Sequence, residues 1–146
     1  MKVTLVHVGD FKEDYLRAAE REYVKRLGGY CTFRTVCVKE EQSLSREAEK
    51  ILPLLPARGV KIALCVEGKE YTSEEFAAVL DNARQSASEI CFVIGSSCGL
   101  DESVKAACGH RVSFSRMTFP HQLMRIIFEE QLYRAFTIIS GKTYHK

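Results

Sequence analysis

The stretch Ile90-Cys91-Phe92-Val93-Ile94-Gly95-Ser96-Ser97-Cys98-Gly99 decides the fold class. Its first half, Ile90–Ile94, is a short unbroken apolar run, which is typical of a strand buried on both faces. Residues 95–99 predict a glycine-rich loop, and Asp101–Ala107 predicts a short helix after it. A buried strand followed by a loop and a helix is the repeating unit of a parallel α/β sheet.

The same alternation extends from this unit to both ends of the chain. Further strands are predicted at Val3–Val8, Cys31–Val38, Lys61–Val66 and Arg111–Ser115. Helices are predicted at Glu13–Leu27, Ser43–Leu55, Thr72 to about Ala87 and Pro120 to about Phe136. Pro53 is expected to distort the second helix or end it early. We therefore predict one α/β domain over residues 1–146, with a mostly parallel sheet flanked by helices.

Composition and length agree with a single globular domain. The chain has 146 residues, of which 46% are hydrophobic and 27% are charged. No apolar run approaches the roughly 18 residues of a membrane span. The apolar run Val3–Val8 is short for a signal peptide and no cleavage site follows it. The sequence therefore predicts a cytoplasmic protein without a membrane partner.

Six cysteines raise the question of metal or disulfide chemistry. No pair is arranged as CxxC, and no Cys/His cluster has the spacing of zinc ligands. Cys65 and Cys91 lie inside apolar runs, as buried thiols do. We expect reduced, structural cysteines and no metal site. The six are Cys31, Cys37, Cys65, Cys91, Cys98 and Cys108.

The net charge of +2 hides an uneven distribution. Residues 111–146 contain six Lys or Arg against two acidic residues, whereas residues 1–110 contain 15 basic and 17 acidic ones. A basic C-terminal quarter favours a polyanionic partner, although a solvated helix face has the same composition.

The last predicted helix is apolar around most of its circumference. Its apolar residues are Leu123, Met124, Ile126, Ile127, Phe128, Leu132, Tyr133, Ala135 and Phe136. Such a helix must be buried on more than one side. In a domain of this size one side faces the sheet, and we expect the other to face a second copy in a homodimer.

Three loops follow predicted strands and hold residues suited to ligand binding. They are residues 66–69, 95–99 and 115–121. Ligands of open α/β sheets bind beyond the carboxyl ends of the strands, so these loops are the candidate site. No dinucleotide fingerprint of the G-x-G-x-x-G type and no P-loop is present.

The loop at residues 95–99 matches the G-x-S-x-G pattern of a nucleophile elbow. Ser97 would then be the nucleophile of a small serine hydrolase, with His121 or His145 as its base. No acid stands on a strand-end loop after Ser97, which weakens this interpretation. The other interpretation is a glycine turn that lets backbone approach a ligand or a neighbouring loop.

Two features near the C-terminus allow both a structural and a functional interpretation. His121 follows Pro120 at a helix start, where the helix dipole favours neutral imidazole and attracts anions. Tyr144-His145-Lys146 ends the sequence. Such a tail either frays or stacks on a base and holds phosphate.

Several stretches together resemble one known family. They are Phe92–Gly95, Ser113–Leu123, Glu130–Phe136, the terminal Tyr144-His145-Lys146 and, near the N-terminus, Val8-Gly9 and Glu22–Leu27. These closely resemble the RlmH family, the large-subunit ribosomal RNA methyltransferases of the SPOUT class. The resemblance implies an α/β fold with a deep C-terminal trefoil knot, an exception to un-knotted topology. It also implies a homodimer whose site lies at the subunit interface.

The resemblance also implies an activity. The cofactor would be S-adenosylmethionine, and the product would be 3-methylpseudouridine in the 23S rRNA of the assembled ribosome. The cofactor would be bound by Leu64, Gly95, Phe114, Ser115, Arg116, Met117, Thr118 and Phe119. The positions near the substrate are His121, Arg125, Tyr144 and His145.

Chemistry suggests roles for these residues. The N3 proton must leave, so a base is useful, and His121 or His145 has the right chemical type. Tyr144 would orient or stack on the target base. Phosphates would be held by Arg125, Arg134, Lys142 and Lys146.

The chain departs from the RlmH pattern at a few positions. Relatives usually have Gly-Gly or Gly-Gly-Ala after the strand at 90–94, whereas Ser96-Ser97 follow Gly95 here. Relatives usually carry an acid where Cys65 stands, and Asn and Pro are common at Ser140 and Thr143. A catalytically impaired ribosome-binding or RNA-binding module of the same fold is therefore the alternative.

Overall fold

Strands and helices alternate throughout the computed structural model, which describes residues 1–146. The strands are β1 (Lys2–Val8), β2 (Thr32–Val38), β3 (Val60–Glu70), β4 (Glu89–Ile94) and β5 (His110–Ser113). The helices are α1 (Asp14–Leu27), α2 (Leu44–Ile51), α3 (Ser73–Ser86), α4 (Glu102–Ala107) and α5 (His121–Ile139). A short 3-10 helix, Leu52–Leu54, follows α2.

The five strands form one parallel sheet in the order β2-β1-β4-β3-β5. β1 and β4 are central, and Val6 of β1 is paired with Val36 on one side and Val93 on the other. The predicted α/β class with a mostly parallel sheet is confirmed. Because all strands point the same way, the loops after β3, β4 and β5 meet at one edge of the sheet.

Helices cover both faces of the sheet, as the apolar strands require. One face carries a core of 16 buried residues, including Phe92 of β4 and Phe128 of α5. The centroids of these two rings lie 4.7 Å apart. The other face carries a core of 11 buried residues that includes Val104 of α4. No helix of the chain is both long enough and apolar enough to cross a bilayer.

Helix boundaries follow local chemistry. Thr72 and Glu75 form a capping box at the start of α3, which begins where the sequence predicts a helix. The second helix ends at Ile51 and tightens to a 3-10 turn at Pro53, because proline cannot continue the backbone ladder. α5 runs to Ile139, three residues beyond the predicted Phe136, and Gly141 with φ of 71° ends it. The helical pattern did not reveal this last turn.

β3 and β5 differ from their predicted bounds in a way that shapes the candidate site. β3 reaches Glu70 instead of Val66, and residues 65–68 bulge away from β5 because Leu64 and Lys69 both lie opposite Val112. A Cβ on Gly68 would lie 2.7 Å from the backbone of Val112, so only glycine fits where the strand returns. β5 ends at Ser113 instead of Ser115.

Candidate active site

A cavity of about 280 Å³ lies beyond the carboxyl ends of β3, β4 and β5. Residues from all three loops singled out in the sequence line it. Its volume is close to the lower end of the range for small-molecule sites, about 300 Å³. Eleven of its 21 lining residues are hydrophobic. The cavity therefore suits a ligand that has both an apolar or aromatic part and a polar part.

Most residues that the resemblance assigns to the cofactor line this cavity. They are Leu64, Gly95, Phe114, Ser115, Met117, Thr118 and Phe119. Arg116 does not line it, because its side chain is 88% exposed and lies 3.4 Å from Glu70. The loop turns at this point, since Ser115 Oγ accepts a hydrogen bond of 2.9 Å from the Met117 N–H. This turn directs the Arg116 side chain outward.

Gly95 makes the tightest backbone approach in the cavity wall. A Cβ at this position would lie 2.2 Å from the carbonyl oxygen of Gly99. The loop closes on itself there, because the Gly99 N–H donates to the Ser96 carbonyl at 2.9 Å. Ser96 is buried, and its hydroxyl accepts a hydrogen bond from the Cys98 N–H at 3.3 Å. Serine is thus accommodated at position 96 in the closed loop.

The same loop does not have the geometry of a nucleophile elbow. An elbow holds its serine in a strained turn. No non-glycine residue of this chain has a positive φ, and no histidine lies within hydrogen-bond distance of the Ser97 hydroxyl. The hydrolase alternative therefore has no geometric support.

An ion pair in the cavity wall was missed by the site prediction from sequence. Glu67, in the bulge of β3, is paired with Lys105 of α4. The pKa of Glu67 is lowered chiefly by the hydrogen bond from Lys105, and the pKa of Lys105 is raised by the same contact. Cys65 beside them has a raised pKa, because burial disfavours its thiolate. The one sequence signal for this pair is that Glu67 lies in a loop predicted to follow a strand.

His121 lines the cavity from the first turn of α5. Gly9 lies beside its ring, since a Cβ on Gly9 would be in ordinary van der Waals contact with Nε2 of His121, at 3.6 Å. Gly9 also has a φ of 78°, which disfavours any other residue. The end of β1 therefore helps to position the histidine, and the His121 ring stands where it can meet a ligand.

The C-terminal tail folds back onto α5. The Lys142 N–H donates to the Thr137 carbonyl at 2.9 Å and the Gly141 N–H to the Ile138 carbonyl at 3.1 Å, which is a Schellman motif. The Tyr144 hydroxyl then donates to Glu130 at 3.0 Å. Burial, followed by this bond, raises the pKa of Tyr144, so its hydroxyl keeps its proton at neutral pH. Tyr144 is a hydrogen-bond donor here.

His145 is held between two helices. Arg134 of α5 donates to its Nδ1 at 3.0 Å, and its Nε2 lies 2.8 Å from a carboxylate oxygen of Glu74 on α3. An arginine can only donate, so Nδ1 accepts and the proton is on Nε2. Neither Tyr144 nor His145 lines the cavity of its own chain. Within one chain, His121 is thus the one catalytic candidate at the cavity.

The structure corrects the expected environment of Arg125. Its side chain is only 6% exposed and lies 2.6 Å from Glu20 of α1, so it is not presented to a phosphate. Its guanidinium also lies 4.0 Å from the centroid of the Phe11 ring. Its residue type suggested an exposed phosphate-binding side chain, but Arg125 is buried between α1 and α5.

The other basic residues predicted to bind RNA phosphates differ in how accessible their charged groups are. Arg134 is paired with Glu130 at 2.6 Å and lies over the Tyr144 ring at 4.9 Å. Lys142 is exposed, and its ammonium lies 5.1 Å from the centroid of the Tyr30 ring. Lys146 is exposed at the end of the chain. Lys142 and Lys146 are therefore accessible, whereas Arg134 fixes the tail.

Glu129 of α5 is a buried acid next to Arg125, with 3.7 Å between its carboxyl group and the Arg125 guanidinium. It is fully buried, and neither of its carboxyl oxygens has a hydrogen-bond partner. Burial raises its pKa to about 10, with the charge of Glu20 adding to the effect and that of Arg125 opposing it. Glu129 therefore keeps its proton in the folded protein at neutral pH.

We expect Glu129→Gln to weaken the dependence of stability on pH. The unfolded chain releases this proton above about pH 4.5, so the free energy of unfolding falls as pH rises from about 4.5 toward 10. One proton gives a slope of at most about 1.4 kcal/mol per pH unit. Urea unfolding at pH 5 and 8.5 should show a smaller loss in the variant. The same loss in both proteins would show that Glu129 is not the source of the pH dependence.

Comparison with known proteins identifies the family. A family model described as "Predicted SPOUT methyltransferase" matches residues 1–145. The chain belongs to the SPOUT methyltransferase family. The cavity, formed by the strand-end loops of the sheet, is accordingly the candidate active site of a SPOUT methyltransferase.

Curated relatives cover the complete chain. Proteins named "Ribosomal RNA large subunit methyltransferase H" are 42% identical in Limosilactobacillus reuteri and 42% in Streptococcus thermophilus. The relative of this name in Bifidobacterium adolescentis is 44% identical. In each case the match covers 100% of this chain and 100% of the relative. The resemblance to a large-subunit rRNA methyltransferase family is thereby confirmed.

Proposed function

We propose that this SPOUT methyltransferase transfers a methyl group from S-adenosylmethionine to N3 of a pseudouridine in 23S rRNA of the assembled ribosome. The observation that carries the proposal is one cavity lined by seven of the eight residues expected to bind the cofactor. Full-length similarity to proteins named as large-subunit rRNA methyltransferases supports the RNA substrate.

The cavity residues fit S-adenosylmethionine chemically. Adenosine is a flat, largely aromatic group, and Leu64, Phe114 and Phe119 offer apolar surface to it. Gly95 lets backbone come close to the ligand, where a side chain would fill space. Glu67 and Lys105 offer charges of both signs to its amino-acid end. When bound, S-adenosylmethionine supplies a methyl group that its sulfonium already activates.

The protein must then orient the acceptor base and exclude water. His121 at the cavity can accept the N3 proton through an imidazole nitrogen. His145, neutral with its proton on Nε2, is the second candidate base. Tyr144 keeps its phenolic proton at neutral pH, so it acts by orienting or stacking on the base. Lys142 and Lys146 are free to contact phosphates.

We propose that the active form is a homodimer in which the tail of one subunit completes the cavity of the other. Large apolar side chains are exposed at the starts of α1 and α5 and in the loop before α5: Tyr15 at 70%, Leu123 at 41% and Met117 at 72%. The Lys12 N–H donates to Gln122 at 3.2 Å, which joins the start of α1 to the start of α5. We take these exposed apolar side chains as the candidate subunit interface.

Leu123→Glu should weaken the dimer, because a carboxylate would be desolvated in the interface. Sedimentation at micromolar concentration should show a dimer for the unaltered protein and a shift toward monomer for the variant. Leu54→Glu is the matched control, since Leu54 is 40% exposed on the 3-10 helix and is not part of this surface. A monomer for the unaltered protein would contradict the dimer.

We also propose that the C-terminal part of the chain forms the trefoil knot that the family resemblance implies. β5 is an edge strand, yet the helix that follows it packs against both α3 and α1. The chain therefore returns from one edge of the sheet toward β1, past the loop at 95–99. This path supports a threaded C-terminal segment.

A labelling experiment tests the proposed reaction. The protein is mixed with tritiated S-adenosylmethionine and intact ribosomes that lack the modification, with naked rRNA in parallel. We expect label in 23S rRNA from the ribosomes alone, at N3 of a pseudouridine. Absence of label with bound S-adenosylhomocysteine would show that the RNA target is wrong. Absence of both would favour the inactive RNA-binding module.

A further inference from the structure

Glu67 and Lys105 are the only carboxylate and ammonium side chains that line the cavity. They come from different elements, the bulge of β3 and helix α4, and form an ion pair. The Lys105 side chain is only 16% exposed, whereas that of Glu67 is 53% exposed. A charged pair in the wall of a largely apolar cavity requires an explanation.

We propose that this ion pair binds the amino-acid end of the cofactor, Lys105 receiving its α-carboxylate and Glu67 its α-ammonium group. The proposal rests on the proposed function and assigns a recognition site within it. Charge complementarity is its basis, because the amino-acid end carries one charge of each sign next to an apolar nucleoside. Hydrogen bonds between charged groups are about twice as strong as neutral ones.

The protonation states agree with this role. The contact between the two side chains lowers the pKa of Glu67 and raises that of Lys105, so both are charged at neutral pH. Moving a zwitterion out of water is costly unless each charge is compensated. A preformed pair of opposite charges can exchange partners with the zwitterion and leave no charge unpaired.

A purely structural clamp is the competing explanation. However, α4 is already joined to β5 by a second ion pair, with Arg111 Nη2 2.7 Å from Glu102 Oε1. Neither Arg111 nor Glu102 lines the cavity. The Arg111–Glu102 pair also joins α4 to the sheet but lies outside the cavity, so it provides a matched control for the cavity pair.

Calorimetric titration with two ligands separates recognition from folding. S-adenosylhomocysteine has the amino-acid end, and 5′-methylthioadenosine lacks it. For Lys105→Met and Glu67→Gln we expect affinity for S-adenosylhomocysteine to fall by about 10-fold to 100-fold, the range for a lost charged hydrogen bond. Affinity for 5′-methylthioadenosine should stay within about 2-fold, and Glu102→Gln should change neither.

The outcomes distinguish the inference from the proposed function. A parallel loss for both ligands, or no loss for either, would overturn the recognition role while leaving the methyltransferase proposal intact. If the unaltered protein binds neither ligand, the proposed cofactor is wrong and this inference is overturned with it.

Discussion

Gly95→Ala is expected to abolish cofactor binding. The added methyl group would lie 2.2 Å from the Gly99 carbonyl oxygen and 2.5 Å from its carbon, so the loop at 95–99 must move. Because this loop lines the cavity, we expect affinity for S-adenosylhomocysteine to fall by at least about 100-fold. Overpacking typically costs about 1–3 kcal/mol, which urea unfolding should detect as lower stability.

Gly109→Ala is the control for this prediction. No heavy atom lies within 4 Å of a Cβ at Gly109, and this glycine has no positive φ. Its substitution should leave both stability and affinity close to those of the unaltered protein. Normal binding by Gly95→Ala would mean that the loop adjusts freely and that the close approach at Gly95 has no role in the site.

The α/β class could be predicted from sequence because it depends on local patterns. Short apolar runs alternate with helical periodicity along the chain, and the start of the third predicted helix at Thr72 agrees with the N-cap of α3. The three strand-end loops could also be predicted to meet, because parallel strands place their carboxyl ends on one edge. The bulge of β3 could not be predicted, since it is an irregularity in the pairing of β3 with β5, a strand about 40 residues further along the chain.

Side-chain environments were the other part that sequence could not supply. Arg125 resembled a phosphate-binding residue by type, yet Glu20 and Phe11 surround it in the folded chain. Arg116 lies within a cavity-lining loop, yet the turn at Ser115 directs it outward. Lys105 lies on the short helix α4, and no sequence motif marks it as a residue that lines the cavity. The environments of Arg125 and Lys105 depend on contacts with Glu20 and Glu67, which are far away in sequence.

Removal of Tyr144-His145-Lys146 is expected to abolish methyl transfer while the cofactor still binds. These residues do not line the cavity of their own chain, so the walls that this chain itself supplies for the cofactor stay in place. The loss should reach about 100-fold to 10,000-fold, the usual contribution of a positioned acid or base. Label transferred to ribosomes and affinity for S-adenosylhomocysteine should be measured on the same preparation.

A point substitution makes the tail prediction more specific. His145→Ala removes the imidazole that bridges Arg134 and Glu74 but leaves the Tyr144 contact with Glu130 in place. His110→Ala is the matched control, because His110 is an exposed histidine that does not line the cavity. If His145 acts on the substrate, His145→Ala should lose turnover and His110→Ala should retain it. Unchanged turnover in the truncated protein would instead leave His121 as the one histidine in position to accept the proton, because it already lies at the cavity.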